Sequence, residues 1–348
     1  MTFNQNEAFN PSVPKWTLGL NIIRSLVIII GLLCLTGTVF PHFIVNRFVT
    51  SYLPFAQIMA FPRILGVLAL LCCTLLAFLT RGKSFTILRS LQYVVWCLVG
   101  ISLVFIPFGL PQLGVSPTSQ AQRSLIIVTY NSGGTFTPAD LNEILEEGTP
   151  DIIVLPETSA YDAKRAIEGI GYGGEIFDTP HSGFTAAYSG QIAPTTIIVS
   201  RRLGHVHLSS APATTFGTVA IEFKDEALPL LVGVHTAPPL PGLMEAWRGD
   251  LERLVAFGEN ATRPTILAGD FNATTRHSAM ASRYHLLDSQ ESCRTKQVGT
   301  WPANVNEVLR TPIDHVLVTS DLRAEGCQAF SVGRSDHLAY KTDVIITK

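Results

Sequence analysis

Charge is scarce in this 348-residue chain: Asp, Glu, Lys and Arg make up 15% of it, against 47% apolar residues and a mean hydropathy of +0.31. A soluble domain carries about a quarter charged residues, and the shortfall here is uneven. Residues 1–116 hold one acidic residue, Glu7, and seven basic ones, Lys15, Arg24, Arg47, Arg63, Arg81, Lys83 and Arg89. Subtracting these from totals of 27 acidic and 25 basic residues leaves 26 and 18 in 117–348, a formal charge of −8. An apolar, basic first third therefore precedes an acidic globular remainder, which excludes a strongly basic nucleic-acid module, a coiled coil and a disordered chain. Other absences narrow the class. No C-x-x-C or Cys/His zinc spacing occurs, no G-x-S-x-G elbow marks a serine hydrolase, and no G-x-x-x-x-G-K-[ST] loop marks a nucleotide-driven transporter.

What the first third does contain is three long apolar runs. Leu18–Phe40 has 23 residues with one charge, Arg24; Ile64–Thr80 has 17 and Tyr93–Leu110 has 18. A bilayer is crossed by about 17–25 apolar residues, so each run reads as a transmembrane helix. The first is too long for the apolar core of a cleaved signal peptide, and two more follow it. With the N-terminus inside, the cytoplasmic side holds Lys15, Arg24, Arg81, Lys83 and Arg89, and the external loop holds Arg47 and Arg63. The excess of positive charge inside favours that orientation. Three crossings then put the C-terminal part outside the cytoplasm, in the cell membrane's external space. Cys34, Cys72, Cys73 and Cys97 lie in the spans, leaving Cys293 and Cys327, whose pairing the sequence leaves open. Pro111–Gln122 is an uncharged, Pro- and Ser-containing linker.

From 123 to 348 short β-branched runs alternate with helical segments. Leu125–Thr129, Ile152–Leu155, Thr196–Ser200, Leu230–Val234, Thr265–Ala268 and Ile313–Thr319 read as strands; Pro138–Glu147 and Gly242–Phe257 have helical spacing. The informative feature is what stands at the strand ends: Tyr130-Asn131, Pro156-Glu157, His235-Thr236, Gly269-Asp270-Phe271-Asn272, Asp314-His315, and a late Ser335-Asp336-His337. A single Asp after a strand is usually a turn or cap residue. Six such positions in order imply carboxylates, carboxamides and imidazoles gathered at one rim of a sheet.

This ordered set resembles the endonuclease/exonuclease/phosphatase (DNase I-like) superfamily, on Asn131, Glu157, His235, Asp270 and Asn272 in GDFN, Asp314, and Asp336-His337 in SDH. The GTWP run at 299–302 further resembles membrane-tethered bacterial members. The resemblance implies an α/β (α+β) four-layer sandwich, two β-sheets flanked by helices, preceded here by the three membrane helices. It also implies phosphoester hydrolysis. In one departure, some members carry an Asp two residues after the Asn where this chain has Gly133, so a second metal-proximal carboxylate is missing.

Hydrolysis of a phosphoester needs neutralised phosphoryl oxygens, an aligned water and a stabilised leaving oxygen. Oxygen donors suit Mg²⁺, or Mn²⁺ in its place. The resemblance implies Glu157 as main metal ligand, with Asn131 and Asp336, and gives Asp270 and Asn272 the water and a phosphoryl oxygen. A free Asp has a pKa of about 3.9 and is a weak base at neutrality. Proton transfer therefore suits His337, with Asp314 as its carboxylate partner and His235 donating from the opposite side. His315 points away by alternation and reads as structural. His205, His207, His277 and His285 read as surface residues, and Arg276-His277 lies close enough to GDFN to meet substrate. A charge of −8 weighs against a nucleic-acid substrate, and a short linker to the membrane favours a lipid-linked or surface-bound phosphoester. An external nuclease and a catalytically silent binding protein of the same fold are the alternatives.

Overall fold

The computed structural model describes residues 15–40, 43–80, 86–106, 123–292 and 298–346. The apolar first third forms α1 (Lys15–Val39), α2 (Ile44–Val49), α3 (Phe55–Ala60), α4 (Pro62–Leu79) and α5 (Ile87–Phe105). Three of these are long and apolar enough to cross a membrane: Leu18–Val39, Pro62–Leu79 and Ile87–Phe105. The third starts six residues before the expected Tyr93. Arg89 does not end it, because the guanidinium reaches the Thr80 carbonyl at the end of α4 (Nη2–O 3.2 Å), satisfying a group that the helix itself leaves open. Residues 107–110 of the expected span and the whole of the expected linker 111–122 lie outside the described residues.

The remainder builds two six-stranded mixed sheets. Its elements in chain order are β1 (Arg123–Thr129), α6 (Pro138–Glu146), β2 (Ile152–Leu155), α7 (Ala160–Ile170), β3 (Gly174–Asp178), β4 (Thr196–Ser200), β5 (Val206–Ser209), β6 (Thr218–Phe223), β7 (Leu230–His235), α8 (Met244–Glu259), β8 (Thr265–Asp270), β9 (Leu286–Asp288), α9 (Ser289–Ser292), β10 (Asp314–Thr319), β11 (Leu322–Phe330) and β12 (Ala339–Ile346). The strand order is β11-β12-β1-β2-β4-β3 in one sheet and β5-β6-β7-β8-β10-β9 in the other.

Alternation along each strand splits its residues between two faces. Ile127, Val154, Ile197, Ile221, Ile266 and Val316 meet in the core between the sheets. On the outer face of the first sheet, Val128, Ile153 and Ile198 pack with Leu141 and Ile144 of α6 and Ala163 and Ala166 of α7. On the outer face of the second, Val232, Val234 and Leu317 pack with Trp247, Leu251 and Leu254 of α8. The result is the expected four-layer sandwich of helices, sheet, sheet and helices. Local chemistry fixes the helix starts. Thr137 and Asp140 form a reciprocal capping box on α6, and Ser159 caps α7.

The second sheet's outer cluster also holds Ala56 of α3, fully buried beside Phe271 and Ala273. The segment between the first two long apolar helices is thus packed into the sandwich. Cys327 is disulfide-bonded; the cysteine that the sequence offers it, Cys293, lies outside the described residues.

Candidate active site

Strands of both sheets reach one rim, and residues at or beside their ends meet there. The parallel pair β7 and β8 sets His235 beside Asp270, and the antiparallel pair β8 and β10 sets Asp270 beside Asp314. The chain can cross at the end of β8 only because residue 269 is glycine. Its φ is 145°, and a Cβ there would sit 2.0 Å from the Val234 carbonyl oxygen. From the facing sheet, the residues after β1 and β2 bring Asn131 and Glu157, while the turn before β12 brings Asp336 and His337.

Asn131 is the hinge between the two sheets' contributions. Its Nδ2 donates to Glu157 Oε1 at 3.1 Å and to Asp270 Oδ2 at 3.0 Å, while its Oδ1 accepts from Gly133 N at 3.0 Å. Residue 133, where an Asp was noted as missing, has a φ of 62°, a turn geometry that favours glycine. Glu157 and Asn272 hold φ values of 55° and 46° without being glycine. Such left-handed backbone costs roughly 1–2 kcal/mol per residue, and both residues carry their strain inside the site. Asn272 is held by Nδ2–H to the Thr236 carbonyl (3.0 Å), and its carbonyl accepts from Trp247 Nε1 (3.1 Å).

The electrostatics are unusual for a site with two converging carboxylates. Among the described residues, the basic side chains within 4 Å of Glu157 and Asp270 are histidines alone: His235 Nε2 lies 3.7 Å from Glu157 Oε1 and 3.7 Å from Asp270 Oδ2, and His337 Nε2 lies 3.8 Å from Asp270 Oδ2. Burial, and secondarily the charge of Asp314, raises the Asp270 carboxyl to about 7. An Asp of ordinary acidity would be a weak base at neutrality; in these surroundings Asp270 is a stronger one. Burial pushes the His235 imidazole down to about 3, so it is neutral, with its Nδ1 unpartnered. For His337 burial acts in the same direction, but Asp314, Asp270 and Asp336 outweigh it and hold the imidazole up at about 10. The main partner is Asp314, whose Oδ2 accepts from His337 Nδ1 at 2.9 Å. His337 was expected to titrate near neutrality; here it is a standing cation.

The site residues do not all converge equally. Asp270, Asp314 and His337 place ligand-type atoms within 4.8 Å of one another. Asp336 is exposed and turned to another partner, its Oδ2 accepting from Trp301 Nε1 at 2.8 Å. Asn131 links Glu157 to Asp270 through its Nδ2 and, among the described residues, makes no such bond to Asp336. The donor set around Glu157 and Asp270 is hard oxygen, with no Lys or Arg ion pair among the described residues, and fits a divalent cation such as Mg²⁺. Trp301 was missed as a site residue; its GTWP context was the available signal. Two other readings are corrected. Arg276 and His277 are buried, not at the surface or toward substrate, and their bonds go to the membrane region. His315 points away from the site, donating to Asp288 Oδ2 (2.6 Å) and the Ala273 carbonyl (2.8 Å).

Residues 128–337 match the family model described as Endonuclease/Exonuclease/phosphatase family. No curated protein matches the chain. Among solved structures, a humanized Danio rerio TDP2 is 16% identical, with 64% of this chain and 98% of that one covered and a TM-score of 0.49. An endonuclease/exonuclease/phosphatase family protein from Bacteroides thetaiotaomicron is 15% identical, with 65% and 99% covered and a TM-score of 0.48. One from Beutenbergia cavernae is 17% identical, with 65% and 72% covered and a TM-score of 0.49. With the matched segment running from β1 to His337 and enclosing every residue of the rim, the chain belongs to the endonuclease/exonuclease/phosphatase family, whose hydrolases act on phosphoester bonds.

Proposed function

We propose that the protein is a membrane-anchored, Mg²⁺-dependent phosphoester hydrolase, with a membrane region over 1–110, a linker over 111–122 and a catalytic domain over 123–348. One observation carries the reading: two carboxylates, Glu157 and Asp270, share the Asn131 amide and have no Lys or Arg ion pair among the described residues, beside an imidazolium fixed by its own carboxylate. Glu157, with Asp270 or Asp336 completing the set, would hold the metal; Asn131, expected as a ligand, presents its Nδ2 to Glu157 and Asp270 and its Oδ1 to Gly133 N, and so orients those carboxylates. When bound, a divalent cation neutralises phosphoryl charge and lowers the barrier to attack on phosphorus.

The chain's own residues supply the rest. Asp270, with a carboxyl raised to about 7, accepts the Asn272 backbone N–H on Oδ1 and Asn131 Nδ2 on Oδ2, and through Oδ2, the oxygen facing both histidines, it orients the attacking water and accepts its proton. Neutral His235 donates from Nε2 to a phosphoryl oxygen. Asn272 orients a second phosphoryl oxygen. His337, kept protonated by Asp314, faces the site through Nε2 and protonates the leaving oxygen as the P–O bond breaks. The closed, buried setting of these groups strengthens each interaction relative to water.

The acidic domain charge and the position beside the membrane helices favour a lipid-linked or surface phosphoester over nucleic acid. An external location is supported by the excess of Lys and Arg on the opposite side and by the disulfide at Cys327, a bond of oxidising compartments. Full-length protein in lipid nanodiscs, given phospholipid, polyprenyl phosphate, sugar phosphate and plasmid with Mg²⁺, is expected to act on a lipid substrate. Plasmid nicking with every lipid inert would transfer the reading to a nuclease.

A further inference from the structure

The catalytic domain does not hang from its anchor. Arg276, four residues after Asn272, is fully buried and aims its guanidinium at the outer ends of two membrane helices. Nη1 donates to the Gly37 carbonyl at 2.8 Å, and Nη2 to the Thr38 carbonyl at 2.5 Å and the Ile106 carbonyl at 3.0 Å. These carbonyls close α1 and α5, where a helix leaves its last oxygens unsatisfied and its dipole favours a cation. A forked, planar guanidinium meets three of them at once in a fixed geometry, from two nitrogens. Burial lowers the guanidinium to about 10, so it remains charged at neutral pH.

The segment between α1 and α4 completes the seat. Thr50 Oγ1 donates to the Arg276 carbonyl and accepts from Ser278 N, each at 3.0 Å, and Ser278 is held at a φ of 43°. His277 Nε2 donates to the Ala56 carbonyl at 2.9 Å. On α8, Arg248 donates to the Ser51 carbonyl (3.1 Å) and lies over the Tyr52 ring (5.0 Å). On the far wall of the site, the Trp301 ring that donates to Asp336 meets Phe61, the residue before α4 (centroids 6.1 Å apart). Both walls of the candidate site thus end on the membrane region: one through the chain from Asn272 to Arg276, the other from Asp336 through Trp301 to Phe61.

We propose that residues 43–62 and the outer ends of α1 and α5 form a built-in seat, pinned by Arg276, that fixes the catalytic cleft against the bilayer surface and so selects phosphoesters presented there. Arg276 is in this account a positioning residue, not a catalytic one. The inference rests on the hydrolase reading for its substrate, but not for the seat itself.

The test uses the full chain in nanodiscs and two diesters with the same leaving group: soluble bis(p-nitrophenyl) phosphate and membrane-partitioning hexadecyl p-nitrophenyl phosphate. Arg276→Gln is expected to lower kcat/KM on the membrane-borne diester by about tenfold or more, through KM, because presentation at a fixed height is what the anchor contributes. The soluble diester should change by less than about threefold. Arg276→Lys should recover part of the loss, and Arg248→Ala, at the edge of the seat, should show the same selectivity more weakly. An equal fall on both diesters, or none on either, overturns the positioning role. Hydrogen exchange reads the seat without activity: amides of residues 50–60 should be protected in the wild-type chain and lose protection in the Arg276 variants. Free exchange there in the wild type overturns the seat. Wild-type protein that cleaves neither diester would sink the hydrolase reading instead, and exchange would still decide whether the domain is docked.

Discussion

Asp314→Asn keeps the volume of the side chain and removes the charge foremost among those that hold His337 protonated against burial. The two groups are both buried and 2.9 Å apart. Lifting an imidazole from 6.5 to about 10 corresponds to about 5 kcal/mol at 1.36 kcal/mol per pH unit. Removing one partner of a buried ion pair costs about 3–5 kcal/mol, and the two figures agree. The sign follows from the direction of the shift. A folded-state value above the unfolded one stabilises fully below pH 6.5 and fades as the pH rises through about 10. Metal-free wild type and variant should therefore differ most in thermal stability near pH 6.5. At about 2–4 °C per kcal/mol for a domain of this size, the gap is about 6–20 °C. By pH 10 most of it should be gone. A gap that stays constant from pH 6.5 to 10 would refute the claim that His337 is a cation sustained by Asp314.

Other outcomes follow from the same geometry. Glu157→Gln should fold normally, lose nearly all turnover at saturating metal, and lose the rise in melting temperature that Mg²⁺ or Mn²⁺ gives the wild type; near-normal turnover would remove Glu157 from the site. His337→Ala should slow hydrolysis by about 10²–10⁴-fold, the usual contribution of a positioned acid, and retained activity in a stopped assay would contradict its role. Asp288→Asn breaks the buried pair with His315 and should destabilise the fold by about 3–5 kcal/mol. Because Asp288 is held below its ordinary value, that loss should shrink as the pH falls through the carboxylate range; a variant as stable as wild type at pH 7 would show that the pair is idle. A reporter fused after Lys348 should be active only outside the cytoplasm, and cytoplasmic signal would overturn the span count or the orientation.

The six strands expected from the sequence all exist, because each is a short β-branched run buried on both faces, as Ile152–Leu155 shows. Three of the six not foreseen are of another kind. Strand β5 is half-exposed, β11 is broken by a register shift between Glu325 and Gln328, and β9 has three residues, so none presents a clean apolar period. The residues of the rim were legible because family order preserves them, but their protonation was not. Burial and the charge of Asp314 move Asp270 and His337 away from their ordinary protonation, and neither effect is local in sequence. Arg276 was invisible for a similar reason: its partners are carbonyls at Gly37, Thr38 and Ile106, and backbone acceptors leave no mark on composition.

The central claim is metal-dependent phosphoester hydrolysis at the rim built by Asn131, Glu157, His235, Asp270, Asp314 and His337. It is tested most directly by p-nitrophenol release from bis(p-nitrophenyl) phosphate by the full-length protein, with Mg²⁺ or Mn²⁺, with chelator, and as Glu157→Gln. The account predicts release with metal, none with chelator, and none from the variant. Equal release in all three, or none from the wild type with either metal, would contradict it.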